Sequence, residues 1–346
     1  MGKQNLSASL LTAFNDYHQR IIEKHLSDSP LLEAMLGYHL GWLDAEGNPA
    51  KINPGKQIRP LLTMLACGAM GGKPEDALAM ASAIELIHNF SLIHDDVMDN
   101  SDLRRGRPTV WKLWGVNQAI NTGDGAYGIS FQIVAEADVP NLDPRVIVYA
   151  ERILAKACVD TVKGQMLDIS FEGRDDVQAD EYRLMVELKT GPLLGAALAG
   201  GAIFAGAPIA QADTLVAIGR HLGIAFQIQD DVLGIWGKPE ETGKSASDDL
   251  TAKKKSLPIL WAYEHLAPHV VSELRELYQY PAPLSADITT RLYDILTAEG
   301  VQEAIQAEAQ NHYAEVLQGL EMQYPKPSDY RDELFKIVAF IVNRTY

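Results

Sequence analysis

Helix-forming patterns run along almost the whole of this 346-residue chain, whereas the alternating pattern that marks strands is nearly absent. The segment from Pro74 to Asp99 shows this most clearly, because its central part reads LAMASAIELIHNFSLIHDD, with apolar residues on more than one face. Such a helix is predicted to be buried. Further helices are predicted over residues 7–33, 61–70, 143–172, 179–189, 210–236, 257–265, 284–300 and 301–322. The pattern as a whole predicts an all-α fold.

The segments between the predicted helices are short and rich in Gly, Pro, Asn or Asp. None is long enough to act as a linker, so we expect one helical domain over residues 1–346. The stretch from Thr190 to Ala210 carries no charge, but its glycines and prolines favour a closely packed core helix over a membrane span. We therefore expect no membrane span.

Composition excludes some classes of partner. Asp and Glu total 46 against 30 for Lys and Arg, and the resulting net charge of -16 disfavours nucleic acid as a partner. The two cysteines, Cys67 and Cys158, both lie in apolar sequence, which argues against a disulfide framework or a cysteine metal cluster. This cysteine usage fits a reducing cytoplasm.

Two acidic clusters close apolar helices. Asp95 and Asp99 are four residues apart and share one helical stripe, with Asp96 about 100° around from Asp95. In the second cluster, Gln227, Asp230 and Asp231 share one helical face. A single cluster of this kind could be a solvated helix end, but two that each end an apolar helix favour a bound cation. Mg²⁺ suits them, because it binds through one or two carboxylates together with substrate phosphates.

Basic residues recur in turn-like segments that could bind phosphate. Lys56 and Arg59 lie at the start of the helix over residues 61–70, where backbone N–H groups favour an anion. Arginine also binds phosphate through two parallel donors. Each basic residue taken alone could be an ordinary surface charge. The remaining candidates are Arg104, Arg105, Lys189 with Thr190, Lys244 and Lys254, together with His88 as a phosphate donor and His94 in a packing role.

The motifs GKQIRP, ELIHNFSLIHDDVMDNSDLRRGRPT, GQMLD, KTGPLL, FQIQDDVLG and GKSASDDLTAKKKSLP resemble those of the polyprenyl synthase family in order and spacing. The resemblance covers about residues 55–258 and is highly specific. It implies an isoprenoid synthase-type helical bundle around a deep central cavity, usually assembled as a homodimer. It also implies a trans-isoprenyl diphosphate synthase, a prenyltransferase of isoprenoid biosynthesis whose substrates are isopentenyl diphosphate and an allylic diphosphate.

The resemblance assigns roles to individual residues. Two or three Mg²⁺ ions would bridge the allylic diphosphate to Asp95 and Asp99 on one wall and Asp230 on the opposite wall. Support for the metals would come from Asp96, Asp231 and Asp168 with Gln165. The allylic diphosphate would be bound by Arg104, Lys189, Thr190, Gln227, Lys244 and Lys254. Isopentenyl diphosphate would be bound by Lys56, Arg59, His88 and Arg105. The aspartates and arginines of the first motif would thus address two different diphosphates.

Two positions depart from the family pattern. Gly234 stands where many relatives carry a third aspartate, and GPLL after Thr190 offers no aromatic side chain to the cavity. Neither change touches the predicted metal ligands, so activity is still expected.

Phe90 and Ser91, about one helical turn before Asp95, are predicted to limit product length, and the resemblance suggests a farnesyl or geranylgeranyl product.

Two other functions would suit a chain of this fold class. A non-catalytic regulatory subunit would be free to lose its acidic clusters, yet both are intact here. A terpene cyclase would carry an Asn/Ser/Glu metal motif in place of DDVLG and would need no second diphosphate site. Both alternatives fit the sequence less well than the synthase.

Overall fold

The computed structural model describes residues 5–52, 55–140, 142–237 and 247–343. The all-α prediction is confirmed, since helices dominate the described residues and the strands named there form one small hairpin. The helices up to the second acidic cluster are α1 (Leu6–Leu26), α2 (Pro30–Leu40), α3 (Ile58–Ala69), a 3-10 turn (Pro74–Ala77), α4 (Leu78–Met98), α5 (Val110–Trp114), α6 (Val116–Ala135), α7 (Pro144–Glu172), α8 (Ala179–Lys189), α9 (Gly191–Phe204) and α10 (Ile209–Trp236). The later helices are α11 (Asp248–Thr251), α12 (Leu257–His265), α13 (Pro268–Leu277), α14 (Ala286–Ala298), α15 (Val301–Gln323) and α16 (Asp329–Asn343). The hairpin pairs β1 (Leu103–Arg104) with β2 (Arg107–Pro108).

Two compact units can be distinguished by their internal contacts. The first comprises the described residues of Met1–Cys158, Ala196–Val216 and Tyr324–Leu334. The second comprises those of Val159–Gly195, Ala217–Gln323 and Phe335–Tyr346. The expectation of one domain over the whole chain stays a prediction.

The first unit is built around α4, which packs against α1, α3 and α6. Twelve of its residues are buried, and its apolar side chains join those of α2 and α6 in one cluster. Gly123 allows α6 to approach α4 closely, because a Cβ atom at this position would lie 2.3 Å from Nε2 of His94. Burial of α4 was predicted, and it fixes the acidic end of this helix within a rigid group of helices.

The second unit has a separate apolar core. It is formed by the second half of α10 together with α8, α12, α14 and α15. The α12 helix packs against both α8 and α15. The sequence predicted α8 and α12 with the observed bounds, and α10 to within one residue. This core holds the second acidic cluster.

The structure also corrects several element predictions. The helix predicted over residues 7–33 is two helices, because α1 ends at Leu26 and Pro30 starts α2 at a position where proline needs no N–H donor. No helix was predicted where the structure has α5, α6, α11, α13 and α16. In α6 the reason is composition: Gly123, Gly125 and Gly128 lower helix propensity, and packing against α4 overrides it.

The prediction of a core helix after Thr190 is confirmed. The uncharged stretch after Thr190 forms α9, whose described residues are mostly buried. Both cysteines are free thiols and buried. Among the described residues, one segment, Pro74–Met98, is long and apolar enough to cross a membrane, but 67% of its most apolar window is buried inside the protein. That segment is the core helix α4 with the 3-10 turn before it.

Candidate active site

The first acidic cluster occupies the last turn of α4. Asp99 caps this helix, and its backbone N–H donates to the carbonyl of Asp95 at 2.8 Å. The carboxylates stand at the C-terminal end of α4, which is the negative end of the helix dipole. The last turn contains no basic residue that would offset this negative charge. The four-residue spacing puts Asp95 and Asp99 on one stripe, as predicted. A cation is therefore favoured at this end of α4.

Asp96 differs from its neighbours because only 2% of its surface is exposed. Nε of Arg104 lies 2.9 Å from both carboxylate oxygens, and Nη2 lies 2.8 Å from Oδ1. The resemblance implies that Asp96 supports the metals and that Arg104 binds the allylic diphosphate; the structure shows that the two bind each other. Among the described residues, Nη1 of Arg104 has no hydrogen-bond partner. Arg104 can thus be held by Asp96 and still donate to a diphosphate.

The β1–β2 hairpin carries the second arginine of the motif at its turn. Leu103 pairs with Pro108 and Arg104 with Arg107, which leaves Arg105 and Gly106 as the two turn residues. Their φ values are 52° and 75°, the signs required by a type I′ turn. A left-handed conformation at a residue other than glycine costs about 1–3 kcal/mol and persists only where the surroundings enforce it. The backbone at Arg105 is therefore held in place by its neighbours.

Arg105 lies beside the GKQIRP segment. A Cβ atom added at Gly55 would be 3.4 Å from Nη2 of Arg105. The next residue, Lys56, is exposed, and Gln57 adopts a left-handed conformation while its side chain exchanges hydrogen bonds with Asn15 at 2.8 and 3.2 Å. The structure thus brings two of the predicted phosphate-binding motifs together.

Arg59, His88 and Arg105 form one electrostatic group around the buried carboxyl of Glu85. Burial raises the pKa of Glu85, while Arg59 and Arg105 oppose that rise. Burial, followed by the same two arginines, lowers the pKa of His88 well below its usual value, so His88 is a neutral donor. Nε of Arg59 is buried and has no hydrogen-bond partner among the described residues. The group therefore offers unsatisfied donors of the kind that an anion needs.

A polar chain continues from this group into α2. Nδ2 of Asn89 donates to the backbone carbonyl of Glu85 at 2.8 Å and lies 3.4 Å from its carboxylate. Nε2 of His39 lies 3.2 Å from Oδ1 of Asn89, so the imidazole donates. Burial is the main reason that the pKa of His39 falls to about 3. The sequence analysis missed Glu85, although a single acid within an otherwise apolar buried helix is a recognisable signal.

Phe90 lies on the side of α4 that faces α6. Its ring centroid is 4.8 Å from that of His94 and 5.4 Å from that of Tyr127, which in turn is 5.1 Å from Phe131. Ser91 is occupied locally, since its hydroxyl donates to the carbonyl of His88 at 2.8 Å. Nε2 of His94 lies 3.1 Å from the carbonyl oxygen of Ile120 on α6.

In the second unit, Asp231 is fully buried at the end of α10. Its carboxylate accepts hydrogen bonds from the Tyr182 hydroxyl at 2.5 Å, the Leu257 backbone at 3.1 Å and the Gln227 amide at 3.3 Å. Lys254 lies 3.5 Å away. Burial raises the pKa of Asp231, and Lys254 with these hydrogen bonds opposes the rise. The sequence analysis missed Tyr182 and Leu257, because no local pattern shows which helix packs over an acid.

The missing third aspartate has a structural explanation. A Cβ atom at Gly234 would lie 2.4 Å from Oδ2 of Asp249, so that carboxylate occupies the space a side chain would need. Asp249 is held there by Lys254 at 3.2 Å. Burial alone would lower the pKa of Lys254, but the carboxylates of Asp231 and Asp249 raise it. Lys254 is thus a firmly held cation at the second cluster.

Lys189 ends α8, and Thr190 caps this helix. Nζ of Lys189 lies 2.5 Å from Oδ2 of Asp168, so the residue predicted as an outer metal partner is paired with a predicted phosphate ligand. Gln165, one turn earlier on α7, has a buried side-chain oxygen with no hydrogen-bond partner among the described residues. Lys244 lies outside the described residues.

The donors suit the magnesium that the resemblance implies. Among the described residues, no group of three or more His, Cys, Asp or Glu side chains forms a ready-made metal site. Mg²⁺ does not require one, because it usually keeps waters and substrate phosphates beside one or two carboxylates. In the first unit, Asp95 and Asp99 at the end of α4 supply hard oxygen donors of this type, so this cluster fits Mg²⁺ bound together with a diphosphate. In the second unit, Asp230 on α10 supplies a donor of the same type.

Comparison with known proteins identifies the family of this chain. Residues 43–296 match the family model for polyprenyl synthetase. The (2E,6E)-farnesyl diphosphate synthase of Mycobacterium tuberculosis is 39% identical over 324 residues, which cover 91% of this chain and 87% of that protein. The geranylgeranyl diphosphate synthase of the same species is 40% identical over 269 residues, which cover 78% of this chain and 75% of that protein. The crystal structure of a polyprenyl synthetase from Streptomyces coelicolor matches with a TM-score of 0.84 and 34% identity, covering 96% of this chain and 97% of that one. This chain belongs to the polyprenyl synthetase family and has its all-α fold.

Proposed function

We propose that this protein is a short-chain trans-isoprenyl diphosphate synthase. It would join isopentenyl diphosphate head-to-tail (1′-4) to an allylic diphosphate and release pyrophosphate. The observation that carries the proposal is the group of Arg59, His88 and Arg105, which lies in the same unit as the acidic end of α4. Donors for a diphosphate and carboxylates for magnesium are thereby combined. The names of the relatives, farnesyl and geranylgeranyl diphosphate synthases, support this chemistry.

In this proposal Lys56, Arg59, His88 and Arg105 bind isopentenyl diphosphate. Its diphosphate stays on the product, so these residues hold a group that does not react. Because His88 is neutral, it directs one N–H donor at the diphosphate and adds no charge. The two arginines supply the charge, and burial strengthens their interaction with an anion.

In the first unit, Nη1 of Arg104 would bind the allylic diphosphate, and Asp95 and Asp99 would hold Mg²⁺, which when bound neutralises the charge that develops on the departing pyrophosphate. The family resemblance assigns Lys189, Lys254 and Asp230 of the second unit to the same diphosphate and its metals. Asp96 and Asp231 would not bind the metals directly. Each is buried and holds a cation in place, Asp96 holding Arg104 and Asp231 holding Lys254. This division explains why aspartates occur in adjacent pairs in both clusters.

The proposed reaction breaks the allylic C–O bond, and both electrons leave with pyrophosphate. The double bond of isopentenyl diphosphate then attacks the carbocation to form the new C–C bond, and a neighbouring carbon loses a proton to pyrophosphate. Gln227 can assist the cation, since its amide nitrogen donates to Asp231 and leaves the amide oxygen as a dipole. Thr190 would have a similar role through its hydroxyl.

Product length would be set by the aromatic group of Phe90, Tyr127 and Phe131. Phe90 lies about one turn before Asp95 on α4, and its ring is supported by Tyr127 from α6. An aromatic side chain backed by a second ring resists displacement by a growing prenyl tail. We therefore propose a farnesyl or geranylgeranyl product.

The experiment is an assay of the purified protein with isopentenyl diphosphate and Mg²⁺, supplied in turn with a C5, C10 or C15 allylic diphosphate. We expect consumption of both substrates, release of pyrophosphate and a prenyl diphosphate product that chromatography identifies. A regulatory subunit would leave isopentenyl diphosphate untouched with every primer. A terpene cyclase would consume the allylic substrate without it. Either result would overturn the proposal.

Two further properties are proposed from the sequence: the family resemblance implies the first, and the cysteine usage favours the second. We propose a homodimer, which light scattering of the purified protein would test. We also propose a cytoplasmic location, which cell fractionation would test.

A further inference from the structure

The hairpin that carries Arg105 is too small to hold its own shape. Its strands are two residues long, and a short isolated hairpin is at best marginally stable in water. Its turn also contains a residue other than glycine in the left-handed region. The position of Arg105 therefore depends on what holds the hairpin from outside.

The two arginines that face each other across this hairpin are held from different helices. Arg104 is bound by Asp96 of α4, as described above. Arg107 is bound at the end of α2, where Nη1 donates to the carbonyl of Tyr38 at 3.0 Å and Nη2 to the carbonyl of Leu43 at 3.1 Å. Its guanidinium carbon lies 3.8 Å from the centre of the Tyr38 ring. Arg107 is thus fixed by two hydrogen bonds and a cation–π contact.

Tyr38 also holds the hairpin directly. Its hydroxyl donates to the carbonyl of Pro108 at 2.7 Å, so the same side chain contacts both residues of β2. By contrast, Arg105 has no hydrogen bond or ion pair among the described residues.

 

The absence of a partner is specific to Arg105. Its two neighbours in the hairpin, Arg104 and Arg107, are both occupied, whereas the guanidinium at the turn lies next to Arg59, His88 and the open side of Gly55. Two of the three arginines thus hold the hairpin, and the third is left to bind a ligand.

We propose that Arg107 is a positioning residue, which fixes the hairpin turn so that Arg105 meets the diphosphate of isopentenyl diphosphate. This role rests on the proposed function, but it adds a residue to which neither the motifs nor the resemblance gave a task. Arg107 does not touch the substrate in this proposal. It acts only through the backbone of β2 and the turn.

The first test is Arg107→Ala. Loss of two hydrogen bonds from a charged group should raise the KM for isopentenyl diphosphate by about tenfold or more, with kcat and the KM for the allylic substrate nearly unchanged. The matched control is Lys112→Ala, which removes a nearby cation whose ion pair with Asp102, at 3.0 Å, lies on the surface. This control should leave all three constants unchanged. A uniform loss of kcat in Arg107→Ala would overturn the proposal.

A double-mutant cycle tests whether Arg107 acts through Arg105. In an Arg105→Ala background, Arg107→Ala should have almost no further effect on the KM for isopentenyl diphosphate, because the positioned group is already gone. Additive effects would show an independent role and overturn the proposal. Arg107→Lys should restore only part of the affinity, since an ammonium cannot reproduce the two parallel donors. Full restoration would mean that charge alone matters, which also contradicts the proposal.

Two further measurements keep the result interpretable. If Arg107→Ala does not fold, as judged by its melting curve, Tyr38→Phe removes only the bond to Pro108 and should produce a smaller selective rise in the same KM. Titration calorimetry with isopentenyl diphosphate alone tests the proposed function separately from the positioning role of Arg107. No binding to the wild-type protein would refute the proposed function, whereas equal binding to wild type and Arg107→Ala would refute only the positioning role.

Discussion

Replacing Asp231 with asparagine should destabilise the second unit even in the absence of metal and substrate. The carboxylate is fully buried and has four partners: Tyr182, Leu257, Gln227 and Lys254. Asparagine has nearly the same volume, so the change creates no cavity. It does remove the charge and one of the two acceptor oxygens.

The geometry sets the size of the effect. One carboxylate oxygen accepts from Tyr182 and Leu257, and the other lies near Gln227 and Lys254. The amide oxygen of asparagine can keep the first pair, which leaves its NH₂ group facing two donors. Each hydrogen bond to a charged group contributes about 1.5–3 kcal/mol. Because Lys254 retains Asp249 at 3.2 Å, we expect a loss near the lower limit for two bonds, about 3 kcal/mol.

Hydrogen exchange measured by mass spectrometry gives a local readout. The backbone N–H of Leu257 donates to Asp231, so its exchange reports directly on the lost contact. A loss of about 3 kcal/mol corresponds to exchange about 150-fold faster at this amide. The first unit provides an internal reference, because the amides of α4 should exchange at the wild-type rate.

The matched control is Asp230→Asn, one residue earlier on α10 and not fully buried. It should change the exchange at Leu257 by less than about fivefold, as expected for a side chain that is not fully buried and does not accept the Leu257 hydrogen bond. If Asp231→Asn accelerates exchange by less than tenfold, or if both variants behave alike, the second aspartate of the pair has no special structural role and the reasoning is refuted.

Three further outcomes are expected. Asp95→Ala combined with Asp99→Ala should lower turnover at saturating Mg²⁺ by orders of magnitude while the melting temperature stays near that of the wild type; retained turnover would exclude these residues as metal ligands. Phe90→Ala should lengthen the products seen by chromatography, and an unchanged distribution would remove Phe90 as the limit on length. Gly234→Asp, which restores the third aspartate of the motif, should cost about 1–3 kcal/mol of stability because its Cβ would lie 2.4 Å from Asp249; a stabilised variant would contradict this.

The fold was largely predictable because its longest helices are strongly periodic. The buried helix α4 and the bounds of α8 and α12 followed from apolar spacing and local turn residues. The break between α1 and α2 was missed, although Pro30 marks it. The glycine-rich α6 could not be predicted from propensity, since its stability comes from contact with α4.

Within the site, only the features that depend on the spacing of residues along one helix were predictable from the sequence. The shared stripe of Asp95 and Asp99 follows from the helical repeat. The bond between Tyr182 and Asp231 joins residues 49 positions apart, so it depends on the packing of two helices rather than on any motif. The role of Arg107 likewise depends on where the hairpin lies against α2.

Gly234 shows that a sequence motif and the arrangement of charges in space can differ. In the sequence, the second cluster lacks its last acid, and a search by motif would score the chain as degenerate there. In space, the carboxylate of Asp249 occupies the volume that a side chain at 234 would need. A negative charge is thus present near this turn of α10, and it belongs to a residue 15 positions later in the chain. A variant library built on the motif alone would alter the wrong residue.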